Sequence, residues 1–516
     1  MEVFAARPDH GWLKLGQELM SADIVDLSAG SIAQAISKKS ISCKDVTTAF
    51  LERIDKLNPV LNAVCTLNDQ ALDQADKADQ RLARGEAARP LEGVPILIKD
   101  ILHTKDVRTT YGSLIRENYV PGEDAVSVER LKDAGAILLG KTNTPEFAHD
   151  VNTSNQIFGT TRNPFNVNVT AGGSSGGSGS AVAANLAPIA LGTDLGGSIR
   201  VPCSYNSIVG LRPSPGRVPV YPTEFGWDTL VEHVQGPMTR SVADLGLAMS
   251  VLAGPDDRDP SSLPASIHDF NVAASATQSL EGQRIAYVGD LNGLFPLDPE
   301  VERLTKAAAQ QFESLGCIVE EASFDESDIR EIVTGTRAFG MVGRYADLFD
   351  EHKDKMTLQL VNQVTNALTL DVRTIVNAEK MRTGYWHRVR EFFEQYDYMI
   401  APSVGAPPFR LDEALPTEVG GVAVERYYDV YLAAYAFSVT GLPVMAVPCG
   451  LTGNGLPVGM QIVGHRLRDD SVISAAAAYE YHCADNFVRP DINLDEVKPV
   501  SPALATPGLA VRAAIK

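Results

Sequence analysis

Cysteine is sparse in this chain of 516 residues, and it follows no pattern. Cys43, Cys65, Cys203, Cys317, Cys449 and Cys483 include no CxxC pair, which fits reduced thiols and argues against a disulfide framework. Basic residues are in deficit: 45 Lys and Arg against 65 Asp and Glu leave a formal charge of −20. That balance argues against nucleic acid as a partner, because phosphate binding needs a basic surface. The acidic excess is read as a solubility device. No HExxH or comparable ligand spacing occurs, so no metal is expected. The first residues, MEVFAARPDHGW, have no basic segment followed by an apolar run. The expectation is therefore a cytoplasmic chain without a secretory leader. Residues 430–464 carry no charge, but Gly441, Pro443, Pro448, Gly450, Gly453, Gly455 and Pro457 divide them. The segment reads as a helix, a buried strand, a turn and a second buried strand, not as a membrane span. Internal repeats are absent.

What is present is the composition of a globular protein. A content of 44% hydrophobic and 21% charged residues excludes wholesale disorder. We read one domain over 1–516, with N-terminal helices in 1–60 and a catalytic core in 61–290. A helical insertion over the site follows in 325–395, then a return to the core sheet in 396–485 and a loose tail in 500–516. Ser42, with Asp45 three residues on, predicts an N-cap. Val46, Phe50, Ile54 and Leu57 then follow at helical spacing as far as Asn58-Pro59. Strands are expected at 63–67, 94–98, 136–139, 284–288, 318–321, 399–401, 444–447 and 460–463. Helices at 69–84, 126–134 and 300–315 alternate with them. The pattern implies an α/β fold, a mixed twisted sheet covered by helices on both faces.

The chemistry concentrates in 171–200, AGGSSGGSGSAVAANLAPIALGTDLGGSIR, which holds Ser174 and Ser198 in separate glycine-rich turns. Between them, 181–191 reads as a buried helix leading into a short strand. Glycine loses more chain entropy on ordering than other residues, so two such clusters beside core-type sequence suggest amides held close to something. A phosphate loop is not supported, because no Gly-Lys-Ser/Thr follows and the tract is not GxGxxG. Upstream, Val94-Pro95-Ile96-Leu97-Ile98 runs straight into Lys99.

A serine hydroxyl is a weak nucleophile unless a base takes its proton. No Gly-x-Ser-x-Gly elbow surrounds Ser198, and none of the nine histidines suggests itself by spacing. Lys99 would serve if burial lowered its pKa by roughly three units from ~10.4. Ser174, as donor and acceptor, would relay the proton. The amides of Leu195, Gly196, Gly197 and Ser198 would form an oxyanion hole, typically worth ~3–4 kcal/mol per donor. Asp194 and Arg200 would pair to hold that turn. Together these residues describe a Ser-Ser-Lys hydrolase.

At this point the chain resembles the amidase signature family. The resemblance rests on Gly172-Gly173-Ser174-Ser175-Gly176-Gly177-Ser178-Gly179 and Gly192-Thr193-Asp194-Leu195-Gly196-Gly197-Ser198-Ile199-Arg200, with Lys99 upstream. It extends through Gly140-Lys141-Thr142-Asn143, Phe158-Gly159-Thr160-Thr161-Arg162-Asn163-Pro164, Gly236-Pro237-Met238-Thr239-Arg240-Ser241-Val242 and Gly441-Leu442-Pro443. The resemblance implies Ser198 as the acylated nucleophile, Ser174 as the bridging serine after a cis peptide bond, and Lys99 as the base. It also implies a sheet of about eleven strands and no metal or organic cofactor. Ala148, His149 and Val151 occupy family acyl-pocket positions, and the loop 225–230, with Trp227, is expected to add a wall. A moderately apolar pocket for a small aryl or alkyl acyl amide follows. The partner is then a small molecule, with no nucleic acid or membrane, and assembly as a homodimer is left open. Carbamate or ester hydrolysis is the alternative. The glutamine-hydrolysing A subunit of glutamyl-tRNA amidotransferase is a further one. Its substrate-binding acid would fall at Tyr431, with Asp429 nearby.

Overall fold

Ser42 caps a helix as the N-terminal pattern predicts. In the computed structural model its Oγ accepts from the Asp45 amide at 3.0 Å and the Asp45 carboxylate accepts from the Ser42 amide at 3.2 Å. This box opens α1, Cys43–Leu61. The helix passes the expected stop at Asn58-Pro59. Pro59 forfeits one backbone bond, while Val60 and Leu61 are buried and Asn62 closes the turn at φ 49°. The structure describes residues 21–492 apart from 224, 228–232, 276–278, 413–414 and 427. The tail expected in 500–516 lies outside the described residues.

Eleven strands form one mixed sheet. They are β1 Val64–Leu67, β2 Pro95–Lys99, β3 Ile137–Thr142, β4 Ile189–Asp194, β5 Val209–Arg212 and β6 Val234–Thr239. The remainder are β7 Arg284–Tyr287, β8 Ile318–Glu321, β9 Tyr398–Pro402, β10 Val444–Leu451 and β11 Pro457–Val463. Their spatial order is β1-β3-β2-β4-β6-β5-β10-β11-β9-β7-β8. β2 runs parallel to both β3 and β4, and β7 runs parallel to both β8 and β9, while the other pairings are antiparallel.

Period-2 alternation divides the core into two layers. Ile285, Tyr287, Tyr398 and Ile400 face one cluster, which α1 joins through Phe50 and Ile54. Ala286, Met399 and Ala401 face another. Burial on both faces explains why these strands read as short apolar runs. Two strands escaped the sequence pattern. β6 crosses Gly236-Pro237, which resembles a turn, yet its pairing with β5 begins only at Met238, beyond the missing proline donor. β5 carries Gly210, and a Cβ there would lie 2.4 Å from Cys203 Sγ.

Between β3 and β4, α2, Gly176–Ala183, begins inside the glycine-serine tract, earlier than residue 181. Close packing is the reason: a Cβ on Gly177 would lie 2.4 Å from the Asn143 amide nitrogen. The chain after β4 turns into α3, Arg200–Tyr205. Three long helices, α4 Ile329–His352, α5 Leu358–Thr369 and α6 Val372–Phe392, follow β8. α7, Leu432–Ser438, precedes β10. Among the described residues no helix is long and apolar enough to cross a membrane.

Candidate active site

The parallel pairing of β2 with β4 matches Ile98 to Leu191, so both strands end at the same edge with Lys99 and Thr193. Lys99 Nζ donates to Ser174 Oγ at 2.6 Å and to Thr193 Oγ1 at 2.9 Å. Lys99 is fully buried. Burial holds its pKa well below the ordinary lysine value, although the Asp194 carboxylate pulls the other way. Burial thus shifts the balance towards the neutral amine.

Ser174 follows Gly173 through a cis peptide bond. Thr144 Oγ1 donates to its carbonyl at 3.1 Å. The two serine-bearing turns adjoin, because the Ser175 amide donates to the Ser198 carbonyl at 3.1 Å. Ser174 and Ser198 line one cavity of about 50 Å³ together with Leu195 and Gly196. Lys99, Ser174 and Ser198 are thus brought to one place.

The turn after β4 is held from beneath. Asp194 accepts from Arg200 Nη2 at 2.9 Å and from Arg200 Nε at 3.0 Å, and both side chains are fully buried. Burial acts to raise the Asp194 pKa. Arg200 and then Arg212 outweigh it and keep the carboxyl well below its usual range. Asp194 Oδ1 also accepts from the Gly197 amide at 2.8 Å. This corrects one expectation: Gly197 spends its N–H on the carboxylate and is absent from the cavity lining, whereas Leu195, Gly196 and Ser198 line it. Asp194→Asn would leave the Arg200 guanidinium buried without its counter-charge, at a cost of about 3–5 kcal/mol. Urea unfolding at neutral pH measures this loss. Because the carboxyl pKa is depressed in the folded state, the stabilisation is complete above the unfolded value, ~3.9, and is lost as pH falls towards the folded one.

Ala148, His149 and Val151 line the cavity, as expected. Trp227 does not: it stands 82% exposed. Its neighbour Phe225 docks edge-on against Phe339 of α4 at 6.1 Å and lies under the Arg344 guanidinium, leaving Trp227 in solvent. Residues 228–230 of that loop lie outside the described residues.

The cavity is more polar than Ala148, His149 and Val151 suggested. His233, Arg337, Tyr428, Tyr431 and Tyr435 also line it, and of these only Tyr431 carried a site expectation from the sequence. His233 precedes β6, with Val234 opposite Asp194. Burial and then the nearby Arg344 push its pKa down to about 3, which makes it a feeble base. His149 lies within 3.0 Å of the Tyr345 hydroxyl, and burial with Arg337 and Arg344 nearby lowers its pKa well below the ordinary value. Both imidazoles are therefore weaker bases than a solvated histidine. Thr193 was also missed; its signal was its place beside Asp194, which no spacing rule singles out. Asp429 is buried, paired with Arg330, and accepts from the amides of Glu425 and Arg426 at 2.9 and 2.8 Å. Its carboxylate is committed to these partners, and Asp429 is not among the residues that line the cavity.

The Amidase family profile matches residues 45–473. The chain is 35% identical over 473 residues to the A subunit of the glutamyl-tRNA(Gln) amidotransferase of Desulforapulum autotrophicum, covering 86% of this chain and 94% of that one. It is 32% identical over 461 residues to an acylamidase of Rhodococcus erythropolis, covering 88% and 95%. Its fold superposes on a bacterial aryl acylamidase of the amidase signature enzymes with a TM-score of 0.82 at 30% identity, covering 90% of this chain and 99% of that one. A 6-aminohexanoate cyclic dimer hydrolase gives a TM-score of 0.81 at 27% identity, covering 91% and 99%. The match across most of the chain, with these similarities, shows that it belongs to the amidase signature family and is an amide-hydrolysing enzyme.

Proposed function

We propose that the chain cleaves the C–N bond of a small aryl or alkyl acyl amide through an ester formed on Ser198. The observation that carries this reading is the buried 2.6 Å contact between Lys99 Nζ and Ser174 Oγ, in a cavity that Ser198 shares. Neutral Lys99 takes the Ser174 proton as Ser174 takes that of Ser198. Ser198 Oγ bonds to the acyl carbon, and the carbonyl oxygen gathers charge against the amides of Leu195, Gly196 and Ser198. The C–N bond breaks as the proton returns through Ser174 to the departing nitrogen. Water then repeats the attack and releases the acid. Carbamates and esters present the same carbonyl carbon; a carbamate would yield amine, alcohol and carbon dioxide.

The likeness to the A subunit of the amidotransferase supports glutamine hydrolysis as a second reading. Two observations weigh against it: a tyrosine stands at position 431, and Asp429 is engaged by Arg330. Assaying the purified chain against anilides, alkyl amides, esters, carbamates and L-glutamine separates these readings. We expect turnover of an acyl amide by the chain alone. Glutamine hydrolysis that requires added partner chains would overturn the proposal.

Two further results follow. Rate against pH rises along a limb whose midpoint lies below the ordinary lysine value of 10.5, because the base form of Lys99 is the active one. A limb centred at or above that value would contradict the assignment. Ser174→Ala lowers kcat by roughly 10- to 100-fold, less than loss of the base, since water partly replaces a hydroxyl relay. Steady-state kinetics on the preferred amide measure it.

A further inference from the structure

The helices after β8 reach the cavity through Arg337 of α4. Its guanidinium donates to the Tyr435 hydroxyl and, at 2.7 Å, to Gln363 Oε1 of α5. Gln363 Nε2 donates in turn to the carbonyl of His149, another residue that lines the cavity, at 3.0 Å. Beside it, the Glu146 carboxylate accepts from the Thr357 amide at 2.7 Å, where α5 begins. One pair, Arg337 and Gln363, therefore links two residues that line the cavity, Tyr435 and His149.

The Tyr435 end of this bridge bears on the reacting centre. Its ring lies against Gly196, where an added Cβ would fall 2.1 Å from the ring carbon that carries the hydroxyl. Gly196 supplies an amide to the turn that also holds Ser198. Asp194 and Arg200 fix that turn from below, and Tyr435 bounds it on the side of the cavity.

We infer that Arg337 is a positioning residue for amide cleavage. Held by Gln363, it fixes the Tyr435 hydroxyl so that the ring sets the direction of the Gly196 amide. The inference rests on the Ser198 and oxyanion assignments of the proposed function. A donor that must meet charge only as it develops acts on the chemical step more than on binding. Misaiming one such donor costs less than deleting it, so the expected loss is about tenfold.

The test uses an uncharged alkyl fluorophosphonate, whose binding does not depend on the arginine charge. Ser198 Oγ bonds to phosphorus, fluoride leaves, and the serine proton passes through Ser174 to Lys99. Inactivation is followed against probe concentration for wild type, Arg337→Met, Tyr435→Phe and the double variant. The limiting rate should fall about tenfold in each single variant and no further in the double, with the half-saturating concentration within about twofold of wild type. Tyr435→Phe keeps the ring on Gly196 and guards against a folding defect. Wild-type limiting rates in Tyr435→Phe, multiplicative losses in the double variant, or a change confined to half-saturation would overturn the inference. A wild-type chain that gains no adduct on Ser198 would instead remove the nucleophile assignment on which the inference stands.

Discussion

Ser198→Ala is expected to abolish amide turnover, with kcat reduced by about 10⁴-fold or more. The size follows from what the substitution removes. Among the described residues that line the cavity, the Ser174 hydroxyl is already engaged by Lys99. What survives is the electrostatic contribution of the Leu195, Gly196 and Ser198 amides, which the alanine backbone retains. Ser198 is only partly buried and the substitution removes a single oxygen, so the variant should fold as wild type. Steady-state assays on the preferred amide, with a thermal melt as control, measure both. Activity within tenfold of wild type would exclude Ser198 as the acylated residue.

Lys99→Ala should lower kcat by about 10²- to 10⁴-fold, the usual worth of a positioned base, without unfolding the chain. Burial has already taken the amine towards its uncharged form, so no ion pair is broken by its loss. Lys99→Met, closer in volume to lysine, should lose activity to a similar extent and so separate lost chemistry from a cavity defect. The ascending limb of the pH profile should also disappear from whatever rate remains. Near-normal turnover in either variant would exclude Lys99 as the base, and His233 and His149 are not expected to replace it, since burial and nearby arginines weaken both as proton acceptors.

The sequence revealed those parts of the site that are local. The apolar run into Lys99, the Ser42 and Asp45 box, and the pairing of Asp194 with Arg200 six residues away all follow from short spacings. The strands around β7 and β9 were visible because burial on both faces gives unbroken apolar runs. The rest depends on folding at a distance. Arg337 meets Tyr435 across 98 positions, and His233 enters the cavity only because β6 lies beside β4. No periodicity marks such residues. The helical start of the glycine tract was hidden for another reason: glycine disfavours a helix in isolation, and its use is apparent only where Asn143 approaches Gly177. The Gly197 amide and Trp227 went astray through the same blindness to packing, one captured by a carboxylate and the other turned to solvent.

Peptide mapping by mass spectrometry after fluorophosphonate treatment asks which hydroxyl the buried amine activates. One adduct per chain is predicted, on Ser198, absent from Ser198→Ala and formed far more slowly in Lys99→Ala. An adduct on Ser174, or labelling that persists undiminished when Ser198 is replaced, would contradict the assignment.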